Sequence, residues 1–450
     1  MKIYFDTLGC PKNMNDTEHA CGLLEAAGNV LVESPQEADA IVVNTCGFIN
    51  DAKRESIERI FELSTLKKPN GILVVTGCLS MRYGEDLYES MDEVDIFLGV
   101  NDYKHLPQIL EGYKKGEREK HLNPLPDDFL CYKDRKLQAG FYSATLRIAE
   151  GCDNNCTYCV IPEIRGHFRS RPMEEIISEA QWLADSGCKE LMLIAQDVTL
   201  YGQDIYGAIK IAELLRGLCQ IDGIEWIRLM YCYEDRISPE LVRVMAEEEK
   251  ICKYIDLPIQ HLSDPVLKAM KRRSTDSSII KTIETLRQKV PNIHIRTTLI
   301  TGFPGETIED HDALLEGVRT LKFERLGVFA YSQEENTPAG EREDQIPEQE
   351  KNHRLDQIMR AQLEVSLQSN KMKIGSVLKV LVENQEEDGS YYGRSEYDAP
   401  EIDNGVLFTS QEKLHPGDFA QVTIIDAFDY DLVGIHETQQ IGGTNNESTK

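Results

Sequence analysis

Cysteine stands directly after predicted β-strands in two separate stretches of this chain, and that placement narrows the possible folds more than any other feature. In residues 1–130, short β-rich runs at 3–7, 40–44 and 72–76 alternate with helical patterns at 18–27, 52–64 and 84–91. A βαβα rhythm of this kind builds a parallel sheet. Cys10, Cys46 and Cys78 each follow one of these strands, at intervals of 36 and 32 residues, and each has a glycine beside it (Gly9, Gly47, Gly77). The carboxyl ends of parallel strands gather along one sheet edge, so cysteines this far apart in sequence can meet there. Glycine would let the backbone approach a bulky inorganic core, and a second three-ligand iron–sulfur site is the expectation. The alternative is three unrelated thiols, since free cysteine is commonly buried.

From about Ala144 the rhythm restarts, with strands expected at 145–149, 190–195, 226–231, 255–259, 295–300 and 326–331 and amphipathic helices such as 174–186 and 308–322 between them. Six βα units predict an incomplete TIM-like barrel. Just after its first strand comes Cys152-Asp153-Asn154-Asn155-Cys156-Thr157-Tyr158-Cys159, a CxxxCxxC loop. Three thiolates on one loop can hold three irons of a [4Fe-4S] cluster and leave the fourth open for a substrate or cofactor. The loop lies at the carboxyl end of a barrel strand, where barrel enzymes place their chemistry. A zinc site would usually want a fourth Cys or His at recognisable spacing nearby, and structural thiols are the blander option.

The other ends of the chain read more simply. Residues 123–128, with two prolines and two aspartates, predict a linker. A charge-rich helical pattern at 347–371 leads into alternating Val, Leu, Ile and Tyr with glycine turns up to about 436, which predicts a small β-barrel. The expected units are therefore an α/β parallel-sheet domain (1–130), a partial (β/α)6 barrel (138–370), a small β-barrel (371–437) and a polar, disordered tail (438–450). Twelve cysteines in a 450-residue chain that opens on Met1-Lys2-Ile3-Tyr4-Phe5-Asp6, without a signal peptide, point to a reducing compartment and to metal or catalytic thiolates. No apolar run approaches membrane length, so a soluble, cytoplasmic protein without a membrane partner is expected. A net charge of −28 disfavours broad attraction to phosphate backbones and suits a basic protein partner. Cys21, Cys131, Cys188, Cys219, Cys232 and Cys252 share no special placement and are expected to be packing residues.

The CxxxCxxC spacing after a first barrel strand resembles the signature of the radical S-adenosylmethionine superfamily. That resemblance implies that the cofactor chelates the open iron and is cleaved by one electron to a 5′-deoxyadenosyl radical, which takes hydrogen from carbon. It also places Tyr158 near the adenine, although an aromatic there could equally be loop packing. With three cysteines in an N-terminal α/β domain and a terminal β-barrel, called TRAM, the chain is similar to the methylthiotransferase family over nearly its whole length. Thr7-Leu8-Gly9-Cys10-Pro11-Lys12-Asn13, residues 49–56 and 161–171, Gln196-Asp197, residues 260–264 and Gly302-Phe303-Pro304-Gly305-Glu306-Thr307 look like its RimO branch. The resemblance implies two [4Fe-4S] clusters, S-adenosylmethionine, a low-potential electron donor such as flavodoxin or ferredoxin, and methylthiolation of the β-carbon of an aspartate in small-subunit ribosomal protein twelve. A tRNA adenosine methylthiotransferase and a non-catalytic iron–sulfur carrier are the alternatives.

The sequence departs from the branch at Asp16-Thr17-Glu18, where Asp-Ser-Glu is usual, and at Glu234, where proline is expected. Residues 371–437 hold 14 acidic against 5 basic residues, poorly suited to tRNA and well suited to a basic ribosomal protein, although a merely solvated surface would look the same. Lys268, Lys271, Arg272 and Arg273 run the other way; a solvated helix end is expected in preference to an RNA contact. No catalytic side chain can be named. Arg165, Arg169 and Arg171 follow the cluster loop and could clamp a substrate carboxylate, bind the cofactor's carboxylate, or pair with acids such as Glu174 and Glu175.

Overall fold

The computed structural model describes residues 1–124, 129, 133, 135–137 and 141–436. Six parallel strands open the chain: β1 (Lys2–Thr7), β2 (Val30–Leu31), β3 (Ala40–Thr45), β4 (Ile72–Gly77), β5 (Ile96–Leu98) and β6 (Glu119–His121), in the order β2-β1-β3-β4-β5-β6. Their apolar runs are continuous because helices cover both faces. Val42, Val74 and Ile96 pack on Ala20, Leu24 and Leu106, while Ile41, Val43 and Val75 pack on Ile60, Leu63 and Leu79. The first helix, Pro11–Ala26, starts seven residues before the periodic pattern at 18 predicts, with Pro11 in its first turn.

The second sheet contains β7 (Ser143–Arg147), β10 (Glu190–Ile194), β11 (Trp226–Leu229), β12 (Ile251–Asp256), β13 (His294–Thr301) and β14 (Arg325–Ala330), all parallel, in the order β14-β13-β12-β11-β10-β7. Two short strands, β8 (Ala149–Glu150) and β9 (Arg169–Ser170), pair antiparallel beside it. It is the expected partial barrel, with Leu191, Leu193, Ile227, Leu229 and Ile295 packed outward against the helix layer. The strand expected at 255–259 lies at Ile251–Asp256 instead. Pro258 has no N–H to continue the ladder, and Cys252 and Tyr254 are buried on the inner face, which hides the alternation.

A 24-residue helix, Glu348–Lys371, leads to β15 (Val377–Gln385), β16 (Tyr391–Ser395), β17 (Val406–Ser410), β18 (Phe419–Ala427) and β19 (Leu432–His436). They close into a barrel in the order β15-β16-β17-β19-β18 around Val380, Val382, Val406, Phe408, Val422 and Ile424. This small barrel seals the amino-terminal end of the larger one. Its Leu381 and Ala399 pack on Trp226, Met230, Cys252 and Tyr254. Arg394 Nη2 donates to Glu190 at 2.7 Å, Arg228 Nε donates to the same carboxylate at 2.9 Å, and Arg325 Nε donates to Asp398 at 3.0 Å.

Cys131, most of the expected linker at 123–128, and the expected tail at 438–450 lie outside the described residues. Among the described residues no helix is long and apolar enough to cross a membrane.

Candidate functional site

The edge formed by the carboxyl ends of β1, β3 and β4 carries Cys10, Cys46 and Cys78. These strands are neighbours, so the three cysteines are brought to one place. Gly9 has φ +94°, and a Cβ there would lie 2.8 Å from Cys46 Cβ; one on Gly47 would lie 2.7 Å from Leu79 Cα. Glycine is thus required at these two positions for close approach of the loops to one another, a reason different from the approach to an inorganic core that the sequence suggests. Burial pushes the Cys46 thiol up to about 12 and raises that of Cys78 as well, with the other cysteines of the set adding to the effect. Thiols held this neutral are poor nucleophiles; a bound cation is what would draw off their protons. Asn13 braces the edge, donating to the carbonyls of Leu8 (2.9 Å) and Thr45 (3.1 Å).

Cys152, Cys156 and Cys159 follow β8 on a loop that three bonds pin to the barrel. Thr157 N donates to Met270 O (3.1 Å), Thr157 Oγ1 donates to Ala269 O (2.9 Å), and Ala339 N donates to Thr157 O (2.9 Å). Gly151, with φ +80°, could not carry a Cβ without meeting His167 O at 2.0 Å. Asn154 Nδ2 reaches Cys152 Sγ at 3.3 Å and Asp197 Oδ2 at 3.1 Å, and Asp197 is in turn held by Thr199 Oγ1 and Arg236. Burial pushes Cys159 up to about 12 and raises Cys152. Tyr158 packs with Val266, Met270, Phe303 and Tyr331, beside the Gly302–Thr307 turn. The three thiols of each site do not close on a single point: among the described residues, no three His, Cys, Asp or Glu side chains could hold one metal ion. Three cysteine thiols, with no acid or imidazole among them, are the donor set that an iron–sulfur cluster takes.

The first domain covers the carboxyl-terminal mouth of the partial barrel, and so the two sites face the same space. On one side Asn15 Nδ2 donates to Thr145 Oγ1 at 3.1 Å, and Arg147 pairs with Asp16 at 2.5 Å. On the other, Glu334 accepts from Lys53 at 2.9 Å and Arg82 at 2.7 Å. Between them Lys12 Nζ sits 3.3 Å over the ring of Tyr231, which follows β11 and has φ 56°. Arg165, six residues past Cys159, crosses the boundary: Nη1 donates to Asp16 (2.8 Å) and Nη2 to Asn13 Oδ1 (2.9 Å) and Cys78 Sγ (3.3 Å).

The contacts of Asn13, Asp16, Arg147, Glu150 and Tyr231 escaped sequence reasoning, which met the first two only as parts of branch motifs. The three arginines divide. Arg165 and Arg171 are buried and paired, Arg171 with Glu179 at 2.6 Å, so Glu174 and Glu175 are not the partners. Arg169 has no ion-pair partner within 4.0 Å among the described residues and lines a small cleft with Asp16, Tyr103, Arg147 and Glu150. The basic run at 268–273 is not simply a solvated end. Arg272 is buried and donates to Glu234 at 2.7 Å, while Arg273 bonds Asp235 at 2.6 Å. Glu234, in place of the expected proline, therefore anchors its loop through Arg272 and Ser274 Oγ (2.7 Å).

Comparison with known proteins agrees with this layout. Residues 2–99 match the uncharacterized protein family UPF0004, residues 146–318 the radical SAM superfamily, and residues 374–436 the TRAM domain. The ribosomal protein uS12 methylthiotransferase RimO of Lachnoclostridium phytofermentans is 47% identical over 97% of this chain and 100% of its own. Those of Acetivibrio thermocellus and Clostridioides difficile are 46% and 45% identical, each over 96% of this chain and 98% of their own. Among solved structures, the radical S-adenosylmethionine methyltransferase TsrM from Kitasatospora setae, with cobalamin and a [4Fe-4S] cluster bound, aligns with a TM-score of 0.55 at 15% identity, covering 75% of this chain and 74% of its own.

Proposed function

This chain belongs to the RimO family of ribosomal protein uS12 methylthiotransferases, radical S-adenosylmethionine enzymes, and from that premise we propose that its six loop cysteines form two [4Fe-4S] sites. Cys152, Cys156 and Cys159 are the ligands of one, Cys10, Cys46 and Cys78 of the other. The observation that carries this reading is the docking of the cysteine edge of the first domain over the mouth that holds the CxxxCxxC loop. When bound, the clusters would supply an open iron, a low-potential electron for S-adenosylmethionine, and a second iron–sulfur centre.

The protein's own groups orient and enclose. Asp197 holds Asn154 against Cys152, and Thr157 fixes the loop. Tyr158, in its apolar setting beside Cys156, is placed to pack on the adenine. Of the three arginines after the loop, Arg169 is the one free, among the described residues, of a carboxylate of its own, and it is the candidate to meet the substrate aspartate.

The substrate is ribosomal protein uS12, methylthiolated at the β-carbon of an aspartate in the cytoplasm, with electrons from a flavodoxin- or ferredoxin-like donor. On the terminal barrel Glu386, Glu387, Asp388, Glu401, Glu412, Asp418, Asp426, Asp429 and Asp431 are exposed, against Lys371 and Lys413. That surface favours a basic protein over tRNA. The test is mass spectrometry of uS12 after incubation with reconstituted enzyme, reductant and S-adenosylmethionine. A methylthio adduct on an aspartate is expected; adducts on tRNA adenosine alone would overturn the substrate assignment.

A further inference from the structure

Arg165 has no assigned part in the reading above, yet it follows the CxxxCxxC loop and donates to a cysteine sulfur of the other site. It ends the five-residue helix Ile161–Arg165, which starts two residues after Cys159, and it is buried. The same short helix packs through Val160 and Ile164 on Cys78, so the side of the barrel loop and the side of the sheet edge form one small apolar cluster. Simple neutralisation of nearby acids does not account for its orientation. Arg147 already meets Asp16 at 2.5 Å and Glu150 at 2.9 Å. Arg165 gives these acids only one arm of its fork, Nη1, at 2.8 Å from Asp16 and 3.7 Å from Glu150. The other arm, Nη2, turns to Asn13 Oδ1 at 2.9 Å and to Cys78 Sγ at 3.3 Å. Asn13 is fixed by its own bonds to Leu8 O and Thr45 O, so the donor is aimed from both ends.

We propose that Arg165 is a positioning residue for the site of Cys10, Cys46 and Cys78: its N–H···S bond holds the Cys78 sulfur and raises the reduction potential of the cluster bound there. The inference rests on the two-cluster reading. Hydrogen bonds to ligand sulfur and net positive charge nearby both favour the reduced, more negative state of an iron–sulfur centre. Lysine would keep the charge but lacks the planar fork that reaches Asp16 and Cys78 together.

The experiment is a potentiometric titration of the full-length reconstituted holoenzyme followed by electron paramagnetic resonance, with iron content measured on the same samples. The signal altered by added S-adenosylmethionine reports the CxxxCxxC site; the unaltered one reports the other. In Arg165→Met the midpoint of the unaltered signal is expected to move to more negative potential, and in Arg165→Lys to move the same way by less, while the midpoint of the responsive signal stays put. An unshifted midpoint in either variant with full iron overturns the proposal. Should Arg165→Met fail to retain its iron, Arg165→Lys decides alone. A wild-type enzyme with a single cluster's iron would instead overturn the two-cluster reading, a result visible before any variant is made.

Discussion

The two ends of the partial barrel are built on opposite terms. At the amino-terminal floor, buried charges are answered by other buried charges: Glu190 lies between Arg228 and Arg394, and Asp398 meets Arg325. All of these groups are buried, and most come from different domains, so the floor is a permanent joint. At the carboxyl-terminal mouth, ion pairs such as Asp16 with Arg147 and Glu334 with Arg82 frame thiols, and burial keeps those of Cys46 and Cys159 neutral. The floor joins two domains and the mouth gathers the thiols, which assigns stability to one and chemistry to the other.

The sharpest break in the comparison is at the mouth. Replacing Cys152, Cys156 and Cys159 together with Ala is expected to remove about half the iron and to abolish formation of 5′-deoxyadenosine, measured by iron analysis and chromatography. The protein should remain folded, because none of the floor contacts is touched.

The same operation at the floor should do the reverse. Glu190→Ala leaves the buried Arg228 guanidinium without its carboxylate and Arg394 with Glu383 alone, and is expected to cost about 3–5 kcal/mol in denaturant unfolding. Its neighbours also dictate an acid response. Arg394 and Arg228 overcome the opposing effect of burial and hold the Glu190 carboxyl at about 2, below its ordinary 4.5. A depressed carboxyl contributes stability that is complete above about 4.5 and is lost as pH falls towards 2, worth roughly 3 kcal/mol. Glu190→Gln should lack that part of the acid dependence; identical acid unfolding in variant and wild type would contradict the assignment. The joint also means that deleting residues from 375 onward should destabilise the barrel, because Arg325 loses Asp398 and Glu190 loses Arg394.

Exposed acids can be changed without opening the joint. Reversing Glu386, Glu387 and Asp388 to Lys should weaken binding to uS12 by roughly tenfold, and wild-type binding should fall as salt rises. Binding that ignores salt would count against electrostatic recruitment. The smallest effect is expected at Arg169→Lys: methylthiolation reduced by a few-fold, from loss of a bidentate carboxylate contact, with 5′-deoxyadenosine still formed. Normal methylthiolation would place the clamp elsewhere.

Periodicity is enough to read the three folded units, and strand-end placement to bring Cys10, Cys46 and Cys78 to one sheet edge and Cys152, Cys156 and Cys159 to one loop, because both signals are local. What escaped is instructive. The first turns of helix Pro11–Ala26 carry Asn13, Asn15 and Asp16, polar residues that break amphipathic periodicity because they face thiols and another domain rather than solvent. β12 was placed four residues late since its inner face is buried by the terminal barrel. Arg272 and Glu234, read separately as part of a solvated basic end and as a departure from an expected proline, have their side chains buried as one pair 38 residues apart. In each case the missing information was a partner distant in the chain.

As a second site, the cysteine edge of the first domain would be necessary for sulfur insertion and dispensable for cofactor cleavage. Replacing Cys10, Cys46 and Cys78 with Ala, supplying reductant, S-adenosylmethionine and uS12, and measuring 5′-deoxyadenosine and the mass of uS12 in one reaction tests this. The expected result is that 5′-deoxyadenosine still forms while uS12 keeps its original mass. A methylthio adduct on uS12 from this variant would contradict it.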